Sequence, residues 1–233
     1  VIVGAAFVPA TPLLVPEVAQ GAASELDEVR TASLTAIRRV ASDAATVVVV
    51  GAGPHPGFYP PGSRGTLAGF GVTGSISLPG GGVSDLVFRQ PMSPELTVGA
   101  WLVTAALGTR VTASARMVTV DEASIALGDR DVALVIVGDG SARRSTAAPG
   151  YLDERAEGYD AAVVKALGAG PDELAAAVED VALGQELLVG GVAAWRAAAA
   201  VLTGSPWSCE VLFDAAPFGV GYVVAAWTAP NTP

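Results

Sequence analysis

Three stretches, "VIVGAAFVP" (1–9), "TVVVV" (46–50) and "VALVIV" (132–137), are almost uninterruptedly apolar. A strand that faces water on one side alternates apolar and polar residues. A strand that is apolar throughout must be covered on both faces. Three such strands, separated by segments of helical period, demand helices above and below one sheet. The expected fold class is therefore α/β: a three-layer α/β/α sandwich with a mostly parallel central sheet. No internal repeat or low-complexity linker interrupts the pattern, so residues 1–233 are read as a single domain.

The segments between the strands carry helix signals. "SELDEVRTASLTAIRRVAS" places Leu26, Val29, Ser33, Ile37 and Val40 near helical spacing, with Ser24 as N-cap and Arg38 and Arg39 in the last turn. "SPELTVGAWLVTAALG" starts at Ser93 with Pro94 in the first turn and stops at Gly108. "DEASIALGD" (121–129) reads as a short helix. "YLDERAEGYDAAVVKALGAG", "PDELAAAVEDVAL" and "LLVGGVAAWRAAAAVL" read as longer ones. "RVTASARMV" alternates like a strand, and "EVLFD" and "GVGYVVAAW" form a closing pair around "AAPFG". Residues 51–94 are rich in Gly and Pro, with "TGSISL" as a short strand inside them; so long an irregular connection often borders a site.

Composition removes several classes of function. Thirteen basic residues against twenty-three acidic ones leave a net charge of −10, the opposite of a nucleic-acid-binding surface. The apolar runs fall well short of the roughly 20 residues of a membrane span. With no basic leader at its start, the chain is expected to be cytoplasmic. Cys209 and His55 are the only cysteine and the only histidine. An internal disulfide and a thiolate metal cluster are thereby excluded.

In open α/β sheets, ligands bind at the carboxyl ends of the strands. Three loops leave such ends: "PATPLLVP", "GAGPHPG" and "GDGSARRS". The second is not a dinucleotide fingerprint, because Pro56 stands where the third glycine belongs and Pro54 also discourages a helix start. The third offers Ser141, but Ala142 and Arg143 follow it and no nucleophile elbow is formed. Arg143 and Arg144 suit a carboxylate or phosphate; the competing expectation pairs them with Asp153 or Glu154. Asp139 is expected to cap amides of its own turn. Trp195, Trp207 and Trp227 are assigned to the core or an interface.

Four segments in order, "AFVPATPLLVPEV", "VVVVGAGPHPGFY", "VIVGDGSARRSTAAPGY" and "DAAPFGVGYVVA", resemble the class III extradiol ring-cleavage dioxygenase family over nearly the whole chain. That resemblance implies a non-haem Fe(II) held by two His and one Glu, with a further His as acid/base in ring opening. Carried over, the first ligand position falls on Ala10 or Thr11 and the second on His55. The acid/base position falls on Ala142. The carboxylate falls on Glu186, near the start of an apolar helix, with Glu210 as runner-up. Loss of an acid/base His alone removes about 10²–10⁴-fold in rate.

The resemblance, with these departures, implies a non-catalytic relative with no cofactor, binding a small acidic or aromatic molecule or another protein in the former cleft. His55 then bonds a loop carbonyl or faces solvent. The alternative is an enzyme of altered chemistry that keeps Fe(II) or another divalent metal on His55, Glu186 and Asp139. A third is an anion-binding module in which Thr11, Asp139, Ser141 and Arg143 line the cleft. A homo-oligomer through the alanine-rich helix around Trp195 is left open.

Overall fold

The computed structural model describes residues 1–42, 44, 46–80, 91–121, 125 and 131–230. Nine strands occur among them. In chain order they are β1 (Ile2–Val8), β2 (Thr46–Ala52), β3 (Gly57–Tyr59), β4 (Arg64–Gly65), β5 (Ile76–Ser77), β6 (Thr112–Val118), β7 (Val132–Val137), β8 (Ser208–Ala215) and β9 (Tyr222–Thr228). Seven of them form the central sheet in the order β3-β6-β2-β7-β1-β9-β8, and β4 and β5 form a separate antiparallel pair. β6, β2, β7 and β1 run parallel to one another, while β9 and β3 run against their neighbours. The sheet is thus mixed and mostly parallel. The fully apolar β7 sits between the other two fully apolar strands, where both edges and both faces are covered.

Besides three short 3₁₀ helices, the described residues form seven α-helices: α1 (Pro16–Ala19), α2 (Asp27–Val40), α3 (Pro94–Leu107), α4 (Arg155–Leu167), α5 (Pro171–Ala177), α6 (Val181–Glu186) and α7 (Val192–Leu202). They cover both faces of the sheet. Ala6, Val8, Val47 and Val49 pack with Ile37 of α2 and Leu96 and Leu102 of α3. The intervening residues Ala5, Phe7, Val48 and Val50 pack with Val163 of α4 and Ala194, Trp195 and Ala198 of α7. The period-2 alternation of a strand therefore divides the core into two halves. Among the described residues no helix is long and apolar enough to cross a membrane.

Several local expectations change in the structure. Ser24 does not cap α2, because residues 20–26 already form a 3₁₀ helix and the Asp27 amide donates to the Ser24 carbonyl. Asp27 and Glu28 still occupy the first turn of α2, where they oppose the helix dipole. The segment "PDELAAAVEDVAL" breaks into α5 and α6, since the Asp180 side chain accepts the Leu183 amide at 2.9 Å and starts a new helix. The helix expected from residue 187 begins only at Val192, after Leu188 adopts φ 54° and Gly190–Gly191 turn the chain. "TGSISL" is reduced to the two residues of β5. The short helix read over 121–129 lies mostly outside the described residues. Ser93 caps α3 as expected, its hydroxyl accepting the Leu96 amide at 3.3 Å.

Trp227 ties β9 to its neighbour β1 and to the helix layer of α4. Its ring lies 4.7 Å from that of Phe7 on β1, and its indole N–H donates to the Leu167 carbonyl at the end of α4 at 2.7 Å. Trp227→Ala is expected to lower unfolding stability by about 3–5 kcal/mol through the cavity it leaves. Trp227→Phe should cost about 1–3 kcal/mol by orphaning the Leu167 carbonyl. Denaturant melts of the two variants test this ranking.

Candidate functional site

Because β7 lies between β1 and β2, the loops leaving their carboxyl ends share one rim. The start of β9 and the first turn of α3 reach the same end of the sheet. At its centre the chain just after β7 passes so close to the residue just before α7 that a side chain is impossible. A Cβ on Gly138 would lie 2.5 Å from the Gly191 Cα, so glycine is required there on steric grounds.

Asp139 joins three of these segments. Its carboxylate accepts the Ala10 amide at 2.8 Å and also bonds the Thr11 amide, while its own carbonyl accepts the Gly191 amide at 2.9 Å. It therefore caps the loop after β1 rather than its own turn. The neighbouring strand brings unpaired amides within reach, whereas the amides of its own turn are already taken, Gly140 by the Gly221 carbonyl and Ser141 by Asp160. Thr11 is buried; its side chain accepts the Leu13 amide at 3.4 Å and hydrogen-bonds the buried Tyr222 hydroxyl. Asp139 keeps some exposure at the rim, yet its carboxyl is desolvated. Burial pushes it up to about 7 against the opposing amides of Ala10 and Thr11, and Glu95 in the first turn of α3 adds repulsion.

A second polar group holds the loop after β7. Ser141 is fully buried, donates to the Leu187 carbonyl at 2.7 Å and accepts the Arg143 amide at 3.1 Å. Its hydroxyl is thus committed to the scaffold. Asp160 of α4 accepts the Ser141 amide at 2.9 Å and pairs with Arg144 at 2.9 Å. Burial raises the Asp160 carboxyl, with the Ser141 amide and Arg144 opposing. Arg144 therefore finds Asp160, with Glu157 at 3.7 Å, in place of the expected Asp153 or Glu154. The hint for Asp160 was in the sequence: it stands on the apolar stripe of α4 with Ala156, Tyr159 and Val163, where a carboxylate needs a buried partner.

The positions that the resemblance assigned to a metal do not come together. Ala10 is buried, and its methyl side chain has no atom that could ligate a metal. His55 is exposed between Pro54 and Pro56, on the segment that leaves β2 and crosses the end of β6 to reach β3. That course leads away from Ala10 on the far side of β7. Glu186 is exposed and closes α6 instead of starting a helix, so no dipole favours it; Arg155 holds its carboxylate at 2.8 Å. Glu210 pairs with Arg39 in the last turn of α2, at the other end of the sheet. Ala142, at the acid/base position, is half-buried and accepts the Gly150 amide through its carbonyl. Among the described residues no three His, Cys, Asp or Glu side chains gather where they could hold a metal ion. This donor set does not fit a two-His, one-carboxylate centre.

Beside the rim lies an open cleft of about 270 Å³ that sequence reasoning missed. Ala52 and Gly53 at the end of β2, Val120 after β6, Gln185 of α6 and Val189 and Gly190 before α7 form its walls. Among the described residues its lining includes no ionisable side chain, and Gly190 packs directly over Asp139. The cleft arises where α6, α7 and two strand ends meet, which no local sequence signal marks. Fold and site together describe an α/β protein with an apolar cleft at the carboxyl end of a mostly parallel sheet. No protein-family model matches the chain, and no curated protein matches its sequence.

The Asp139 carboxyl, raised from 3.8 to about 7, binds its proton more tightly in the folded protein than in the unfolded chain. Its contribution to stability is therefore greatest at low pH, declines as pH rises through this interval, and is level above it. Asp139→Asn keeps an acceptor for the two amides and removes the titration. Wild-type stability relative to this variant should fall between about pH 4 and about pH 7, as read from urea melts across that range.

Proposed function

We propose that this chain is a non-catalytic relative of the class III extradiol dioxygenases that binds a small neutral aromatic molecule in the rim cleft. The observation that carries this reading is the chemistry of the cleft. Its walls are Ala, Gly and Val with one amide side chain, Gln185, and it lies at the strand ends where α/β proteins take their ligands. An acidic ligand is disfavoured there. Among the described residues no cation lines the cleft, Asp139 and Glu95 lie at the same rim, and the chain carries a net charge of −10. The alanines at 10 and 142 and the Arg155 partner of Glu186 support a binding role over ring cleavage.

Burying a single ring of 150–250 Å² contributes about 4–6 kcal/mol at about 25 cal/mol per Å². That corresponds to dissociation constants from about 1 mM down to about 0.04 mM, a range suited to ligand-observed NMR. Catechol and 1-naphthol are expected to show saturation transfer in competition with each other, and benzoate much less. Gln185→Arg, a change at an exposed position, should weaken 1-naphthol and admit benzoate. Absence of ring binding, or cleavage of catechol after anaerobic loading with Fe(II) and exposure to O₂, would overturn this reading.

A further inference from the structure

Trp207 and Trp227 each donate their indole N–H to a backbone carbonyl, Leu202 at 2.9 Å and Leu167 at 2.7 Å. Trp195 of α7 does not. The residue is 1% exposed, and its Nε1 is buried with no hydrogen-bond partner among the described residues. A buried donor in that state costs about as much as a lost hydrogen bond, so it calls for an acceptor from outside the chain. A phenylalanine ring would avoid that cost altogether.

The position of the N–H says what the acceptor is. A Cβ on Gly138 would stand 3.5 Å from Nε1, which puts this edge of the ring beside the backbone that leaves β7. Two residues further on, Gly140 lines a small cavity of about 10 Å³, whose walls also include Trp195, Asp160 and Gly221. The glycines keep this space open. A Cβ on Gly140 would lie 2.8 Å from the Asp160 Oδ1, and one on Gly221 2.2 Å from its Oδ2. The volume matches a single water and nothing larger. Val164 and Asp214 also line the cavity and keep some exposure, so they mark its path to solvent.

The groups around the cavity select among species of that size. Asp160 is 5% exposed; its Oδ1 accepts the Ser141 amide and its Oδ2 accepts the Arg144 guanidinium, each at 2.9 Å. A carboxylate offers about four acceptor positions, so both oxygens keep spare capacity. Asp214 adds a second carboxylate at the outer end. These carboxylates repel an anion, and the Trp195 N–H and Arg144 oppose a cation. A water accepts from an indole and donates to a carboxylate at once. We propose that this cavity is a hydration site for one water molecule, which accepts the Trp195 N–H and donates to the Asp160 carboxylate. The water ties α7 to α4 behind the loop after β7. It is separate from the apolar cleft and does not depend on what the cleft binds.

A crystal structure of the wild-type chain, at a resolution that shows ordered water, tests the site directly. One water is expected within about 2.7–3.2 Å of both the Trp195 Nε1 and an Asp160 carboxylate oxygen. In solution, the Trp195 indole proton should give a dipolar cross-peak to water with the sign of a long-lived molecule, whereas that of Trp227, held by the Leu167 carbonyl, should give none. Loss of one indole resonance in Trp195→Phe assigns the signal. Where that variant fails to fold, triple-resonance assignment of the wild-type chain serves instead. A cavity without water density, or a Trp195 N–H bonded directly to a protein acceptor, overturns the proposal. A Trp195 indole proton with no cross-peak to water overturns it as well.

Discussion

Every residue of β7, Val132–Val137, is buried, and most of the architecture follows from that one constraint. Its backbone groups must be paired on both edges and its side chains covered on both faces, because neither can be left in water or left unsatisfied. β1 and β2 supply the edges, both in parallel register. α2 and α3 cover one face, and α4 and α7 the other. Parallel neighbours place their carboxyl ends together, so the rim and its loops follow from the same burial.

The rim is held by buried and half-buried hydrogen bonds between segments far apart in the chain. Asp139 satisfies amides from the loop after β1, and Ser141 and Asp160 hold the loop after β7. Arg144 neutralises Asp160, whose desolvated carboxylate would otherwise be strongly unfavourable. These groups are engaged in holding backbone, which leaves little freedom for acid/base work. Asp139 is the exception in kind: its proton is held near neutrality by enclosure, while its hydrogen bonds remain structural. The cleft beside it offers apolar area and a single amide side chain, a chemistry suited to holding a ring.

The chain shows unevenly where a site can be inferred without coordinates. The apolar strands, the capped helix α3 and the closing pair β8–β9 were legible because each rests on a local period or a capping residue. The helix starts were less so. Ser24 matched an N-cap pattern that a 3₁₀ segment made redundant, and Asp180 split what looked like one helix. Asp139 and Ser141 were correctly placed on the rim, but their partners, separated by 129 and 46 residues, could not be seen. His55 was the most conspicuous residue of all, and it lies on a segment directed toward the β3 edge. Isolation in composition is no guide to position.

What the sequence determined by itself was the class of fold and the end of the sheet where the loops after β1, β2 and β7 gather. Both follow from short-range periodicity and from the direction of parallel strands. Only the tertiary structure decided which carboxylate meets which cation, which way the loop of His55 turns, and that an apolar cleft opens between α6, α7 and the strand ends. Those outcomes depend on contacts between segments far apart in the chain. Desolvation of a carboxyl such as Asp139 or Asp160 is set by everything packed around it, and no local pattern of residues encodes that environment.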